Sequence, residues 1–333
     1  MKISKTPLRV SLFGGGTDFP EYFKSKKTFI VGGTIDKYIY TTINNQIPKI
    51  SPSKIKLFYR KVEITNSVHN IKHKVVKKLL LKHKIKSNVE LHIASDLPSF
   101  TGLGSSSAFS VGLQNLLQAH CGLRISKKKL ALKAIHLERN ELNETVGYQD
   151  QIHSAYGGFN IIKLYKKSFT VKNHFQNKNI KKLQDNLVLI FTGISRKADK
   201  VEKKKIKRLK LNMPYLEKIN SISKKAIQII NSDKKKSLDQ IGTLLDESWK
   251  LKKKLSKTVS NRKIDKIYDY AIKSGALGGK LLGAGSGGFL LFYVRKNIKK
   301  NFKDKMNKYP QVDFKFINSG SKVYDLWLKV FIG

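Results

Sequence analysis

A glycine- and serine-rich loop that runs directly into an apolar helix is the feature that most restricts how this chain can fold. Residues 98–108 read PSFTGLGSSSA. A short strand pattern, residues 89–94, precedes the loop, and apolar residues at helical spacing follow it from Ala108 to Ala119. A flexible hinge would be polar on both sides. The pattern therefore predicts a strand, a loop and a helix that begins inside the loop.

The start of such a helix is a binding site for anions. Its first amide groups have no partner within the helix, and the helix dipole adds a partial positive charge. Glycines let the backbone approach a ligand closely, and serines add hydroxyl donors. The segment therefore predicts a phosphate site, with an ordinary loop capped by serines as the alternative. It is not a Walker A motif, because no lysine follows Gly104.

A second glycine-rich segment lies near the C-terminus. Residues 283–288 read GAGSGG, which satisfies the spacing of a dinucleotide-binding fingerprint. That fingerprint needs a strand before it and a helix after it. Here the strand pattern of residues 289–294 follows the glycines, so the dinucleotide interpretation fails. The segment is more typical of a tight turn that joins two strands.

The length of 333 residues and the apolar fraction of 40% are sufficient for a large core and suggest two domains. The first half contains strand patterns around the serine loop, with helices after it. In the second half, strand, helices, glycine turn, strand, helix and strand follow one another, which predicts a split β-α-β arrangement. Residues 165–182 are polar and weakly patterned, as expected of a crossover between domains.

The formal net charge of +44 raises nucleic acid as a partner. Only eight of the 67 basic residues are arginine, the residue better suited to forked contacts with phosphate and bases. The lysines are spread along the whole chain, and we interpret them as a compositional bias. We therefore expect no specific nucleic-acid partner, although a salt-sensitive attraction to polyanions remains an alternative.

The single cysteine, Cys121, excludes a disulfide framework and a four-thiolate zinc site. We expect it to be a small buried side chain near a helix end. No apolar run approaches the ~20 residues of a membrane span, and no secretory signal pattern follows Met1. The sequence therefore predicts a cytoplasmic protein without a membrane partner.

Three segments together resemble the motifs of the GHMP kinases, the superfamily of galactokinase, homoserine kinase, mevalonate kinase and phosphomevalonate kinase. They read PLRVSLFGGGTD at 7–18, PSFTGLGSSSA at 98–108 and KLLGAGSGGF at 280–289. Their order and spacing match the family over nearly the whole chain. Finer details, such as YQDQIH at 148–153, are most similar to the sugar-1-kinase branch, and within it to the D-glycero-D-manno-heptose 7-phosphate kinases.

The resemblance implies an α+β fold of two domains, with the active site in the cleft between them. The N-terminal, ATP-binding domain is expected over residues 1–182, with a fold like ribosomal protein S5. The C-terminal domain is expected over residues 183–333, with a ferredoxin-like fold. ATP would be the phosphoryl donor and Mg²⁺ its companion ion.

The helix-terminus argument assigns the nucleotide phosphates to one continuous stretch. The residues are Gly102, Leu103, Gly104, Ser105, Ser106 and Ser107. The resemblance assigns magnesium to Ser106 and to a glutamate on the following helix, which matches Glu138. One hydroxyl and one carboxylate suit a hard cation that keeps some of its waters. Glu141 and Glu144 are nearby alternatives, and a glutamate paired with a lysine is the structural alternative.

The resemblance also assigns the catalytic pair. Asp150 matches the family's base aspartate, which would orient and deprotonate the sugar hydroxyl. From pattern alone it lies outside a helix, where a turn aspartate is the simpler interpretation. Arg9 matches an arginine of the first motif, and a fixed cation beside Asp150 would keep the carboxylate ionised.

The acceptor sugar would contact the first and third motifs. Asp18 matches the family's sugar-binding aspartate, and three glycines stand where many members have Gly-Glu-His. The other residues assigned to the substrate are Gly15, Gly16, Thr17, Gly283, Gly285 and Gly287. Arg196 and Lys280 are candidates for a substrate phosphate. His153 is better explained by packing.

The resemblance therefore implies an ATP-dependent kinase for the anomeric hydroxyl of D-glycero-D-manno-heptose 7-phosphate, ahead of nucleotide-activated heptose synthesis. Its small-molecule partners would be ATP and the sugar phosphate. A fucokinase-like or galactokinase-like sugar 1-kinase is the nearest alternative. A polyanion-binding protein without kinase activity is the alternative from another class. The sequence is also compatible with a homodimer.

Overall fold

The computed structural model of the chain describes residues 1–47, 50, 55–166, 168–195, 202, 206, 208–232 and 238–326. These residues form two sheets with helices packed against them, which confirms the α+β class. None of the helices in these ranges is long and apolar enough to span a membrane.

The larger sheet has eight strands, mostly antiparallel. Its strands are β1 (Lys2–Phe13), β2 (Thr28–Asn45), β3 (Ile55–Phe58), β4 (Val62–Thr65), β5 (Val89–Ser95), β6 (Phe159–Tyr165), β7 (Ser168–Asn173) and β12 (Lys322–Asp325). The main path runs β12-β1-β2-β5-β3-β4, while β6 and β7 extend from the other end of β2. The 18 residues of β2 make this possible, since Thr28–Gly33 pairs with β6 and Ile39–Asn45 with β5.

The smaller sheet has four antiparallel strands in the order β11-β8-β10-β9. They are β8 (Leu187–Phe191), β9 (Gly278–Leu281), β10 (Phe289–Tyr293) and β11 (Gln311–Val312). The glycine-rich segment 283–288 joins β9 to β10, as the sequence predicted for a turn between strands. A separate apolar cluster around Trp249 and Phe292 packs on this sheet.

Helices occupy the rest of the described chain. They are α1 (Pro20–Phe23), α2 (Lys74–Lys82), α3 (Ser105–His120), α4 (Lys127–His136), α5 (Gln149–Tyr156), α6 (Lys178–Asp185), α7 (Leu209–Ile230), α8 (Asp239–Leu255), α9 (Arg262–Lys273) and α10 (Lys299–Lys305). The helix α3 packs closely on the larger sheet, because Gly112 allows its backbone to approach Thr6 of β1. After α4 the chain continues as a π-helical segment, Leu137–Glu141.

One expectation about local structure is incomplete and another is wrong. Residues 165–182, expected as a weakly patterned crossover, contain regular structure, because β7 pairs with β6 there and α6 begins at Lys178. Their exposed strand alternates too weakly to be read from the pattern alone. Cys121 is not buried, since it caps the solvent-facing end of α3 and its thiol is exposed.

The chain returns to the larger sheet at its C-terminal end. Phe316 forms a bridge with Ile35, the amide of Ser321 donates to the carbonyl of Ser154 at 2.8 Å, and β12 pairs with β1. The larger sheet therefore contains chain from both segments expected as domains. The boundary at residues 182 and 183 stays a prediction.

The returning segment predicts a sharp effect of a methyl group at Gly320. A Cβ at Gly320 would lie 2.3 Å from the carbonyl oxygen of Ala155. We expect Gly320→Ala to lower the free energy of unfolding by about 2 kcal/mol, because overpacking must push the two backbones apart. Urea unfolding followed by circular dichroism measures this change.

The matched control is Gly122→Ala. Gly122 has φ +73° but open space around its Cβ position, so only backbone strain of about 1 kcal/mol is expected there. Equal losses in the two variants would contradict close docking of the returning segment.

Candidate active site

The serine loop enters α3 through backbone that favours glycine. Gly102 and Gly104 have φ +83° and +75°, and Gly104 is the residue before the first turn of α3. The first intrahelical bond of that turn runs from the amide of Ala108 to the carbonyl of Gly104 at 2.9 Å. The amides of residues 105–107 thus lie at the free end of a 16-residue helix, where they can bind an anion.

The loop is held in place by the first motif. The amide of Arg9 on β1 donates to the carbonyl of Leu103 at 3.1 Å, and its Nη1 donates to the carbonyl of Gly102 at 2.6 Å. Arg9 is only 3% exposed. A side chain that is almost fully buried and bonded to the loop fixes the loop relative to the sheet.

The same guanidinium forms a fork with Asp150. Nε of Arg9 donates to Oδ1 at 2.9 Å, and Nη2 donates to Oδ2 at 2.7 Å. A Cβ on Gly104 would lie 3.3 Å from Arg9 and from Oδ2 of Asp150. The start of α3 and the predicted catalytic pair are therefore in direct contact.

The expectation that Asp150 lies outside a helix is wrong. It occupies the first turn of α5, where the helix dipole stabilises a carboxylate. The pattern missed this helix because it is only eight residues long and follows a glycine.

Asp18 is buried beside this pair. Its carboxylate accepts from the amide of Gly16 at 3.0 Å and from the amide of Gln149 at 3.3 Å. Burial, and then the charge of Asp150, raise the pKa of Asp18 to about 6. Gly147 makes the approach possible, because a Cβ there would lie 1.9 Å from the carboxylate.

The neighbouring residues of the first motif shape the turn around Asp18. Gly16 has φ +98°, and Gly15 lies beside the side chain of Gln149. The hydroxyl of Thr17 is fully buried and donates to the carbonyl of Gly14 at 2.8 Å. Any contribution of Thr17 to sugar binding would therefore come from its backbone.

Glu138 lies in the π-helical segment and is 1% exposed. Its Oε2 accepts from the hydroxyl of Ser107 at 2.9 Å and from the side-chain amide of Gln151. Burial raises the pKa of Glu138 to about 7. Within the described residues, its Oε1 has no hydrogen-bond partner.

The oxygen atoms of Glu138 and the neighbouring serines are suitable ligands for Mg²⁺. An unpaired carboxylate oxygen and the serine hydroxyls are hard oxygen ligands, although Ser107 contacts Glu138 while Ser106 is exposed. Within the ranges described above, no group of three or more His, Cys, Asp or Glu side chains could hold a metal. Magnesium would therefore depend on nucleotide phosphates and water for most of its coordination.

The glycine turn of the third motif packs on the serine loop. A Cβ on Gly102 would lie 2.5 Å from the carbonyl oxygen of Leu282, and a Cβ on Gly283 would lie 2.5 Å from Cα of Gly102. The amide of Phe289 also donates to the carbonyl of Thr101 at 3.0 Å. Two motifs about 180 residues apart in the sequence thus meet backbone to backbone.

Two further glycines of the turn pack closely on residues that flank the smaller sheet. A Cβ on Gly285 would lie 2.9 Å from Val259, and a Cβ on Gly287 would lie 2.7 Å from Ile194. Neither position has room for a side chain.

Two buried lysines brace this turn. Nζ of Lys252 donates to the carbonyls of Leu281 and Gly283, at 2.8 and 2.5 Å. Nζ of Lys280 donates to the carbonyl of Leu12 on β1 at 2.8 Å, and Lys280 is 4% exposed. Lys280 thus joins the two sheets instead of facing an open phosphate site. Arg196 lies outside the described residues.

Sequence reasoning missed several contributors to this site. Lys252 lies in the run KLKKKL of a chain rich in lysine, so the sequence pattern does not distinguish it from the exposed lysines beside it. Gln149 and Gln151 flank Asp150, and their alternation within YQDQ was the available signal. His153 is buried as expected, and burial and the charge of Arg9 lower its pKa to about 3, so its ring is neutral.

Comparison with known proteins agrees with this arrangement. The sequence model of the GHMP kinase N-terminal domain matches residues 70–158, and that of the C-terminal domain matches residues 224–311. The chain belongs to the GHMP kinase family. It is 33% identical to D-glycero-alpha-D-manno-heptose 7-phosphate kinase of Campylobacter jejuni, over 96% of this chain and 97% of that protein.

Solved structures of other GHMP kinases share the fold. A D-glycero-D-manno-heptose 1-phosphate kinase from Bacteroides thetaiotaomicron superimposes with a TM-score of 0.79, at 23% identity, over 98% of this chain and 99% of that one. Galactokinase of Lactococcus lactis, complexed with galactose, gives a TM-score of 0.73 at 19% identity, over 96% and 94% of the two chains. This GHMP kinase is a sugar kinase, an ATP-dependent phosphotransferase.

The buried carboxylate of this GHMP kinase predicts a pH-dependent loss of stability. The pKa of Glu138 rises from an ordinary value of 4.5 in the unfolded chain to about 7 in the folded one, so the folded chain holds more protons between these values. Stability contributed by this group therefore falls as pH rises through that window. As pH rises from 4.5 to 8, we expect the free energy of unfolding of Glu138→Gln to increase by roughly 3 kcal/mol relative to that of the wild type.

Urea unfolding at a series of pH values measures this difference. Glu141→Gln, in the same segment and ion-paired with Lys82 at 2.7 Å, is the control for losing a negative charge. A constant difference between Glu138→Gln and wild type across the window would contradict the raised pKa of this buried carboxyl group.

Proposed function

We propose that this GHMP kinase transfers the γ-phosphoryl group of ATP to the anomeric hydroxyl of D-glycero-D-manno-heptose 7-phosphate. The observation that carries the assignment of the site is the contact between the Arg9–Asp150 fork and the start of α3. The carboxylate that we propose as the base therefore lies next to a helix terminus that can bind phosphates. Similarity to the Campylobacter jejuni enzyme over nearly its full length supports the heptose phosphate as acceptor.

The donor half of the site is the serine loop. The amides and hydroxyls of residues 102–107 would bind the nucleotide phosphates, and Ser106 and Glu138 would hold Mg²⁺. When bound, Mg²⁺ neutralises charge on the transferring phosphoryl group. Phosphoryl transfer needs positioning and charge stabilisation above all, and a rigid helix terminus supplies both.

The acceptor half lies around Asp150. Its carboxylate would accept the proton of the anomeric hydroxyl, which is more acidic than an ordinary alcohol. The new bond joins that oxygen to the γ-phosphorus, while the bond to the β–γ bridging oxygen breaks and ADP leaves. Arg9 holds Asp150 at two points and thereby fixes the direction in which it accepts the proton.

The sugar would be oriented by the first and third motifs. Asp18 is mostly ionised above its pKa of about 6 and would accept from two sugar hydroxyls. The turn at Gly15, Gly16 and Thr17 would approach the sugar through its backbone. Gly283, Gly285 and Gly287 would lie over the reacting groups, braced by Lys252.

The acceptor is tested by offering candidate sugars with ATP and Mg²⁺. The panel contains D-glycero-D-manno-heptose 7-phosphate, fucose and galactose, and ADP release is followed by a coupled assay. We expect kcat/KM for the heptose phosphate to exceed the other values by about 100-fold, since a site that binds a substrate phosphate leaves its cations unpaired with a neutral sugar. Turnover only on an unphosphorylated sugar would refute the heptose assignment.

The base is tested by Asp150→Asn. Asparagine keeps one acceptor for Arg9 but cannot take the proton, so we expect kcat to fall by about 10²–10⁴. The Kd for ATP should change only a few-fold, because Asp150 does not contact the phosphates in this mechanism. Single-turnover kinetics and ATP titration measure the two quantities.

The control for this experiment is Asp313→Asn. Asp313 follows β11 of the smaller sheet, is exposed, and pairs with Lys303 at 2.9 Å. It should leave kcat unchanged. Unchanged turnover in Asp150→Asn would remove Asp150 from its proposed role, and tight RNA binding without kinase activity in the wild type would favour the polyanion-binding alternative.

A further inference from the structure

Gln149 has a hydrogen-bonding group that the proposed reaction does not use. It is the first residue of α5, directly before Asp150, and its side chain is half-buried. Its Oε1 accepts from the hydroxyl of Ser11 at 2.7 Å, and its main-chain amide donates to Asp18 at 3.3 Å. Within the part of the chain that the structure describes, no hydrogen bond uses its Nε2. The two N–H donors of this amide group are therefore available to a ligand.

Strand β1 fixes the orientation of this side chain. Arg9 and Ser11 are two residues apart on β1, with regular pairing between them, so their side chains lie on the same face of the strand. Arg9 bonds to Asp150, and Ser11 bonds to Gln149. Ser11 is only 4% exposed, so its hydroxyl is held in place. Because Oε1 takes this bond, Nε2 is the end of the amide that remains for a ligand.

The space beside Nε2 is kept open by a glycine. A Cβ at Gly15 would lie 3.8 Å from Nε2 of Gln149 and 3.9 Å from the hydroxyl of Ser11. Gly15 has no side chain to occupy this space, and it is itself only half-buried. Gln149 thus connects the turn that carries Asp18 to the helix that carries Asp150. Its donors lie at the place where we propose that the sugar binds.

The side chains proposed to bind the sugar are mainly acceptors. Asp18 and Asp150 present carboxylate oxygens, whereas the guanidinium of Arg9 is engaged with Asp150 and with the carbonyl of Gly102. A hydroxyl that donates to a carboxylate still has lone pairs that can accept from a donor. The amide of Gln149 supplies such a donor, and a hydroxyl left without it in the closed site would bind more weakly.

We propose that Gln149 is a specificity-determining residue, and that its Nε2 donates to the hydroxyl on carbon 2 of the acceptor sugar. Gln149 adjoins the proposed base, Asp150, which takes the proton of the anomeric hydroxyl. The hydroxyl nearest to that reacting group along the ring is the one on carbon 2. Ser11 is a positioning residue that acts through Gln149. This role rests on the proposed function, because the sugar must lie between Asp18 and Asp150, but it applies to any sugar with this hydroxyl.

A purely structural role is the alternative, in which the bond between Ser11 and Gln149 only joins β1 to α5. Loss of that bond would then lower the stability of the protein and the turnover of every sugar to the same extent. A donor to carbon 2 predicts a different result, because a sugar without this hydroxyl loses nothing when the donor is removed. The preference for a hydroxyl on carbon 2 therefore distinguishes the two roles.

The experiment uses the sugar that gives the highest kcat/KM among heptose phosphate, fucose and galactose, and compares it with its 2-deoxy analogue. We expect the wild type to prefer the sugar that carries the hydroxyl by about 10-fold in kcat/KM, the effect of one hydrogen bond. Gln149→Met has a side chain of similar size without N–H groups, and its preference should fall to about 1–2-fold. The KM for ATP should stay the same, because the donor serves the acceptor sugar.

Three further variants test the assignment. Gln149→Glu keeps the length of the side chain and an acceptor for Ser11 but has no N–H, so it should also lose the preference. Ser11→Ala should reduce the preference in the wild type and have no further effect in Gln149→Met. Gln46→Met is the matched control, because it removes a bond of 3.1 Å to Glu90, outside the proposed site, and should keep the wild-type preference. Circular dichroism verifies that each variant folds.

The outcomes for this role and for the proposed function are separate. Equal kcat/KM for the two sugars in the wild type, or an unchanged preference in both Gln149 variants, would overturn the role of Gln149. An equal loss of kcat/KM for both sugars would do the same. If the proposed function fails instead, the wild type favours a sugar other than the heptose phosphate or Asp150→Asn keeps its turnover. The preference at carbon 2 is then still measured on the favoured sugar.

Discussion

The contact between Arg9 and the serine loop is the interaction on which the rest of the site depends. One buried guanidinium bonds to the carbonyl of Gly102 and to both oxygens of Asp150. It therefore ties together β1, the start of α3 and the first turn of α5. A planar group with five donors in fixed directions can do this, and lysine could not. The helix terminus that we propose for phosphate binding and the proposed base are therefore held as one unit.

The two domains meet through backbone at this unit. Gly102 and Gly283 approach within a distance that excludes any side chain. Lys252 and Lys280 then use their ammonium groups on carbonyls of the same region. Buried lysines are costly unless their donors are bonded. Here Lys252 fixes the backbone at the start of the glycine turn, and Lys280 ties β9 to β1. The glycines allow the two backbones to approach closely, and the hydrogen bonds of the lysines restrict the movement of the backbone next to this contact.

The site holds its carboxylates under conditions that favour their protonation. Asp18 and Glu138 are almost fully buried, and burial raises the pKa of Asp18 to about 6 and that of Glu138 to about 7. Such groups lower the stability of the unliganded protein at neutral pH. A bound cation or a set of sugar hydroxyls would stabilise the charged form of these carboxylates. The loss of stability in the unliganded protein is therefore consistent with ligand-binding sites. The π-helical segment at Glu138 fits the same interpretation, since such segments are frequent at functional sites.

The sequence by itself determined the strand–loop–helix at the serine loop and the turn at the third glycine motif, because glycine placement and apolar periodicity are local signals. It also indicated the family, and with it the α+β class, since three motifs in order carry more information than any one. It could not show that Asp150 begins a helix, that Cys121 is exposed, or that Lys280 and Lys252 are buried among so many exposed lysines. These outcomes depend on which distant segments pack together. Only the tertiary structure brings Arg9, Gly102, Asp150 and Gly283 into contact, because hydrogen bonds and backbone approach between distant residues leave no periodic pattern in the chain.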